Sequence, residues 1–257
     1  MKNDWILKKI KNSKFNKPIM IEGLPGMGNV GKIAVDFIVE ALKAEKIYEI
    51  NSYDFANCVF VNEEGIPELP KVEIYRKERK ENDLFLVSGD VQPMTERGCY
   101  EFCENLLQLF KENGGKDVLS LGGMGLETPP KTPNIYCVGS SKAVIKQYSN
   151  NGIKSGVGII GPIMGVSGLL VGLAKEQGIN GATLLVETYG HPTYLGLKEA
   201  RELLKTLNQK FKLKLDMQAL DKEVKVIEKE IKDRVEKLMV MKEDKPTKKK
   251  EVTNYIG

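Results

Sequence analysis

Residues 23–32 read GLPGMGNVGK, between a strand-like run, Pro18-Ile19-Met20-Ile21-Glu22, and a helix-like run, Ile33-Ala34-Val35-Asp36-Phe37-Ile38-Val39. This order of strand, glycine loop and helix constrains the chain more than any other stretch. Glycine permits the tight turn and the close strand–helix approach, and the new helix starts with amides that have no partner inside it. Many α/β proteins hold a phosphate at such a start. Two ligand motifs overlap here. Gly26 to Lys32 spells G-x-x-x-x-G-K, but a P-loop places Ser or Thr next, to hold the magnesium ion. Ile33 stands there instead, and Asp90, after Leu84–Gly89, is only a loose acidic partner. Gly26, Gly28 and Gly31 also fit G-x-G-x-x-G, with Glu49 and Asp54 near the place of a ribose-binding acid. Pro25 is foreign to that fingerprint. The favoured reading is that these glycines serve the turn and the packing. Gly26, Gly28, Asn29 and Gly31 form the candidate ligand loop of the alternative, a nucleotide- or nucleoside-binding enzyme or sensor.

Beyond the loop, strand-like runs near 18–22, 46–52, 57–62, 71–76, 83–88, 117–121, 134–138, 156–161 and 181–187 alternate with helix-like runs near 29–44, 94–113, 140–150, 164–176, 193–210 and 216–241. Such alternation predicts an α/β domain whose mostly parallel sheet carries helices on both faces. Short strands around Gly65, Cys58–Val61 and then Val72–Tyr75, suggest an antiparallel excursion across a loop with Pro67 and Pro70. Glycine-rich turns at 23–31, 122–125 and 161–168 follow strands, and ligands bind at the carboxyl ends of strands in open α/β sheets. The three turns line one crevice, or they are three tight connections over a packed interface. Residues 128–133, TPPKTP, read as a stiff exposed segment suited to a contact.

At 257 residues the chain buries one core and carries extensions. Its net charge of +4 sits in short patches such as Lys248-Lys249-Lys250, with no basic stripe interleaved with aromatics, so nucleic acid is not an expected partner. Cys58, Cys99, Cys103 and Cys137 match no zinc spacing, and His191 is the single histidine, which argues against a metal site. Buried free thiols in a reducing cytosol are expected. The start, MKNDWILKKIKNSK, has no apolar run of the signal-peptide kind. Ser155 to Ala174 holds no charge over twenty residues and has G-x-x-x-G spacings. Six glycines and Pro162 make it a buried strand, turn and helix rather than a membrane span.

No complete set of catalytic parts is present. His191 lies beside Pro192, G-x-S-x-G does not occur, and no spacing rule selects Glu22, Asp90 and Glu187, which could meet at the strand ends. From Asp216 the pattern turns helical, with Leu220, Val224, Ile227, Ile231, Leu238 and Met241 on a four-three spacing supported by pairs such as Glu228–Lys232. The expected organisation is a core domain at 1–213, a C-terminal helix at 214–241 packing on the core or between subunits, and a flexible tail at 242–257. The tail is polar until Tyr255-Ile256-Gly257, and apolar anchors beside a terminal carboxylate are a known recognition format.

Three blocks carry a family resemblance: GLPGMGNVGKIAVDFIVEAL, then Gly89-Asp90-Val91-Gln92-Pro93, then GVGIIGPIMGVSGLLVGLAKEQGINGATLLVET. In that order, over roughly residues 18 to 240, they resemble archaeal members of the proteasome assembly chaperone family. The resemblance implies a nucleoside-phosphorylase-like α/β fold, no catalytic activity and no cofactor. It also implies a cytoplasmic protein that self-associates and binds the α-ring of the proteasome core particle without ATP, as an assembly factor or activator. A second family member is a further possible partner. Relatives dock through tails ending in hydrophobic-Tyr-any. Here Tyr255 is third from the end and Ile256 is penultimate, so Tyr255, Ile256 and Gly257 are expected to insert with a shifted register.

Overall fold

The structure, a computed structural model, describes residues 4–150, 152–156, 161–222 and 224–226. The chain divides into two units, Met1–Asp216 and Met217–Gly257. In the second unit, residues 217–222 and 224–226 are helical; the expected helix beyond 226, the tail and its terminal anchor lie outside the described residues.

The first unit is built on a nine-stranded sheet. In chain order its elements are β1 (Trp5–Lys9), β2 (Ile19–Glu22), α1 (Val30–Ala41), β3 (Glu45–Ser52), β4 (Phe60–Val61), β5 (Pro67–Glu68), β6 (Val72–Lys77), β7 (Leu84–Gly89), α2 (Glu96–Glu112), β8 (Asp117–Leu126), β9 (Ile135–Gly139), α3 (Lys142–Tyr148), β10 (Ile153–Ser155), α4 (Val166–Glu176), β11 (Asn180–Tyr189) and α5 (Leu197–Phe211). The spatial order is β1-β3-β6-β7-β2-β8-β11-β9-β10. The parallel sheet read from the alternation is its centre: β7, β2, β8 and β11 run parallel. Antiparallel pairs flank it, with β1, β3, β6 and β7 on one side and β11 with β9 on the other. Four-residue β2 lies at the middle and is buried on both faces, which explains its unbroken apolar run ahead of Glu22.

Helices cover both faces. α1 packs with α5, and α2 packs with α4 on the other side. The α2/α4 side holds the large apolar cluster, in which Met20, Phe85, Val87 and Val118 from the sheet meet Phe102, Leu106 and Phe110 of α2 and Val166 and Leu170 of α4. Each large apolar side chain withdrawn from water contributes roughly 1.5–3 kcal/mol, and Ile21, Val35, Ile38, Leu203 and Leu207, equally buried, add to the same sum outside this cluster. Local signals set the helix starts. Thr95 caps α2 by accepting the Gly98 amide at 2.9 Å, and Ser141 caps α3 by accepting the Val144 amide at 3.2 Å.

Several expectations need correction. The strands around Gly65 do not pair with each other as read: β4 pairs with β5 in a separate small hairpin, while β6 joins the main sheet between β3 and β7. Gly122 to Gly125 is not a turn but the end of ten-residue β8, which pairs with β11 throughout. β1 is an unforeseen edge strand. Only Trp5 of its five residues is buried, against Phe55 and Phe102 at 5.7 and 5.4 Å between ring centroids, so it has no clean alternation to read. Cys103 and Cys137 are buried as expected, but Cys99 is half-buried and Cys58, in the loop before β4, is exposed. Among the described residues no helix is long and apolar enough to cross a membrane, and no cluster of His, Cys, Asp and Glu could hold a metal ion.

Candidate functional site

β2 and β7 are parallel neighbours whose following helices, α1 and α2, leave to opposite faces of the sheet. That divergence opens a crevice outside their carboxyl ends. The chain fills its base with glycine for two different reasons. A Cβ on Gly31 would overlap the Leu121 carbonyl, and one on Gly23 would overlap the Gly31 carbonyl, so both are needed for α1 to lie on β8. Gly28 and Asn29 turn the chain through left-handed conformations, at φ 62° and 52°, before α1 begins. A Cβ on Gly28 would sit 2.7 Å from Thr188 Oγ1, which ties the turn to β11.

All three glycine segments meet in one cavity of about 520 Å³. Gly26, Met27 and Gly31 come from the first loop, Gly122 to Gly125 from the end of β8, and Gly161 to Gly165 from the approach to α4. The crevice alternative is therefore the arrangement found. Gln92, in the loop after β7, fastens its rim. Its Nε2 donates to the Pro25 carbonyl, and its Oε1 accepts the Val166 amide at 3.0 Å, at the start of α4.

Behind the cavity lies a buried polar row. Glu22 faces the α2/α4 side one step beyond Met20, and it is fully buried. Its carboxylate accepts the Leu24 amide at 2.9 Å and the Ser120 hydroxyl. Ser120 stands directly opposite it on β8. Burial pushes the Glu22 carboxyl up to about 7, against the opposing pull of its bonds to Ser120, the Leu24 amide and Ser167. Ser167, near the start of α4, lines the cavity, and its main-chain carbonyl accepts the Thr183 hydroxyl at 2.9 Å. The thiols of α2 lie on the same side. The Cys99–Cys103 hydrogen bond lowers Cys99 and, with burial, raises Cys103.

The remaining sequence candidates disperse. Of the proposed ligand loop, Gly26 and Gly31 line the cavity, whereas Gly28 and Asn29 shape the turn beside it. Lys32 is turned to Asp36 at 2.8 Å, and Asp36 also accepts the Ser88 hydroxyl, so the lysine of the P-loop-like string is held on α1. Asp90 accepts the Lys71 amide at 3.2 Å. Glu187 accepts from the Asn134 amide at 2.9 Å and the Tyr136 hydroxyl at 3.0 Å. These two acids and Glu22 have separate partners and form no shared group. His191 is exposed, stacked on Tyr189 at 5.6 Å and bonded through Nδ1 to Thr193. Sequence reasoning missed Gln92, Ser120 and Ser167 as site residues. Gln92 and Ser167 had a signal, since each lies in one of the three quoted blocks; Ser120 had none, because its role depends on pairing across the sheet.

The same fold recurs in solved structures. PbaB of Pyrococcus furiosus, described as an archaeal proteasome activator, superposes with a TM-score of 0.80 at 30% identity, covering 91% of this chain and 99% of that one. PbaA of the same organism, described as an archaeal homolog of proteasome-assembly chaperone, gives 0.74 at 25% identity over 92% and 94%. An uncharacterized protein of Methanocaldococcus jannaschii is 29% identical over 98% of this chain and 97% of its own. The PAC2 family model matches residues 20–235. With that match and the full-length likeness to PbaB, the chain belongs to the PAC2 family.

Proposed function

We propose that this protein binds the proteasome core particle and serves its assembly or activation without using nucleotide. The observation that carries the reading is the whole-chain likeness to PbaB, an archaeal proteasome activator, with PbaA in support. The site chemistry agrees with a role that needs no phosphate. Among the described residues no Lys or Arg lines the cavity, and Lys32 is engaged by Asp36. The protein acts by binding rather than by catalysis, in the cytoplasm. Its contact is with the α-ring, through Tyr255, Ile256 and Gly257 as anchors and residues 242–253 as the tether. A homo-oligomer presents several tails at once, so weak single contacts add up to useful affinity.

The test is co-purification of the cognate core particle with the full chain and with a variant lacking Tyr255-Ile256-Gly257, in the absence of nucleotide. Capture by the full chain and not by the truncated one is expected. Equal capture by both moves the contact to the folded domain. No capture by either rejects the proteasome reading.

A further inference from the structure

We propose that the cavity at the carboxyl ends of β2 and β8 is a binding site for an uncharged planar ring bearing an amide or lactam group. This does not depend on proteasome binding. The space itself is the first observation. Its volume of about 520 Å³ lies within the range of small-molecule sites, roughly 300–1,000 Å³.

The second observation is that two of its glycines are demanded by neither packing nor backbone. Gly26 is extended, at φ −163°, and the nearest atom to an added Cβ would be 3.8 Å away. Gly122 sits in regular β8, with the nearest such atom at 3.4 Å. Any residue could stand at either place without a backbone clash. What a side chain would do there is occupy the cavity. Gly31 and Gly123 differ, because a Cβ on either would run into main chain.

The lining then selects the chemistry. Bare peptide faces at Gly26 and Gly122, with the thioethers of Met27 and Met164, make surfaces that suit a flat ring. Leu24, Ile163 and Leu185 add an apolar wall. No charged side chain lines the space among the described residues, so no side-chain cation offsets the cost of taking an anion out of water there. Ser167 is only 8% exposed. Its one hydroxyl hydrogen is shared between the Leu121 carbonyl at 3.4 Å and the Glu22 carboxyl, and a lone pair of its oxygen is left to accept an N–H from the ligand. Gln92 takes the Val166 amide, and the positive end of α4 at Ser167 favours a carbonyl oxygen. An N–H beside a C=O on one ring satisfies both.

The experiment is ligand-observed NMR titration of the full chain with benzamide and uracil, and with benzoate as the charged counterpart of benzamide. Saturable binding of both neutral probes is expected, with benzoate weaker by about tenfold or more. Gly26→Val and Gly122→Val fill the cavity and should each weaken both probes by about tenfold or more, with the melting temperature checked in parallel. Ser167→Ala adds no volume, and it should weaken the neutral probes while leaving benzoate unchanged. Absence of binding by either neutral probe, benzoate binding as well as benzamide, or unaltered binding in the folded variants would overturn the proposal.

Discussion

Glu22 brings a carboxyl into a layer otherwise made of Met20, Phe85, Val87 and Val118. With no cation among the influences on it, burial raises it from 4.5 to about 7. The sign follows from proton linkage. Between those pH values the folded state holds a proton that the unfolded chain has released, so the contribution of this group is fully present below about pH 4.5 and is lost as pH rises through about 7. The loss amounts to about 3 kcal/mol. Glu22→Gln imitates the protonated acid and removes that loss. Urea unfolding at about pH 5 and about pH 8 should show the variant gaining about 2 kcal/mol on wild type over that interval. Parallel pH profiles would place the ionised carboxylate in the native state without penalty. The glycines allow a second comparison at this scale. Gly31→Ala forces α1 off the Leu121 carbonyl and should cost about 3 kcal/mol or more, whereas Gly122→Ala, whose Cβ meets Leu185 only at van der Waals distance, should stay within about 1 kcal/mol; chemical denaturation of the two side by side separates them.

At the scale of elements, Gln92 joins the loop after β2 to the start of α4 although the two lie far apart in the chain. Gln92→Leu keeps much of the volume but leaves the Val166 amide and the Pro25 carbonyl without this partner. The expected cost is about 1–3 kcal/mol, with faster hydrogen exchange at the Val166 amide while the amides of central β8 keep their protection. Elements of this kind were legible in the sequence to different degrees. α2 and α5 have strong amphipathic patterns, and β7 and β11 carry short apolar runs, Leu84–Val87 and Leu184–Val186; these local patterns alone mark them. β1 was not legible, because one buried Trp5 among exposed residues gives no period. The end of β8 was misread as a turn, since three glycines in four residues ordinarily break a strand. Here β11 alongside supplies the pairing that local propensity withholds.

For the whole molecule, the proposed ring site and the proposed proteasome contact call on different residues and are tested separately. Removing Tyr255-Ile256-Gly257 should abolish core-particle capture while leaving the melting temperature of the folded unit unchanged, since those residues lie outside Met1–Asp216. A matching fall in melting temperature would assign the last residues a structural role. The alternating pattern, the glycine loop after β2 and the three sequence blocks were sufficient for the fold class and the family, because they depend on short-range periodicity and on motif order. Which glycines are packing necessities and which keep a space open, that Gln92 clasps two loops, and that Glu22 meets Ser120 and Ser167 in the interior were settled by the fold. Each depends on contacts between residues distant in the chain, and sheet register and helix placement, not local sequence, bring those residues together.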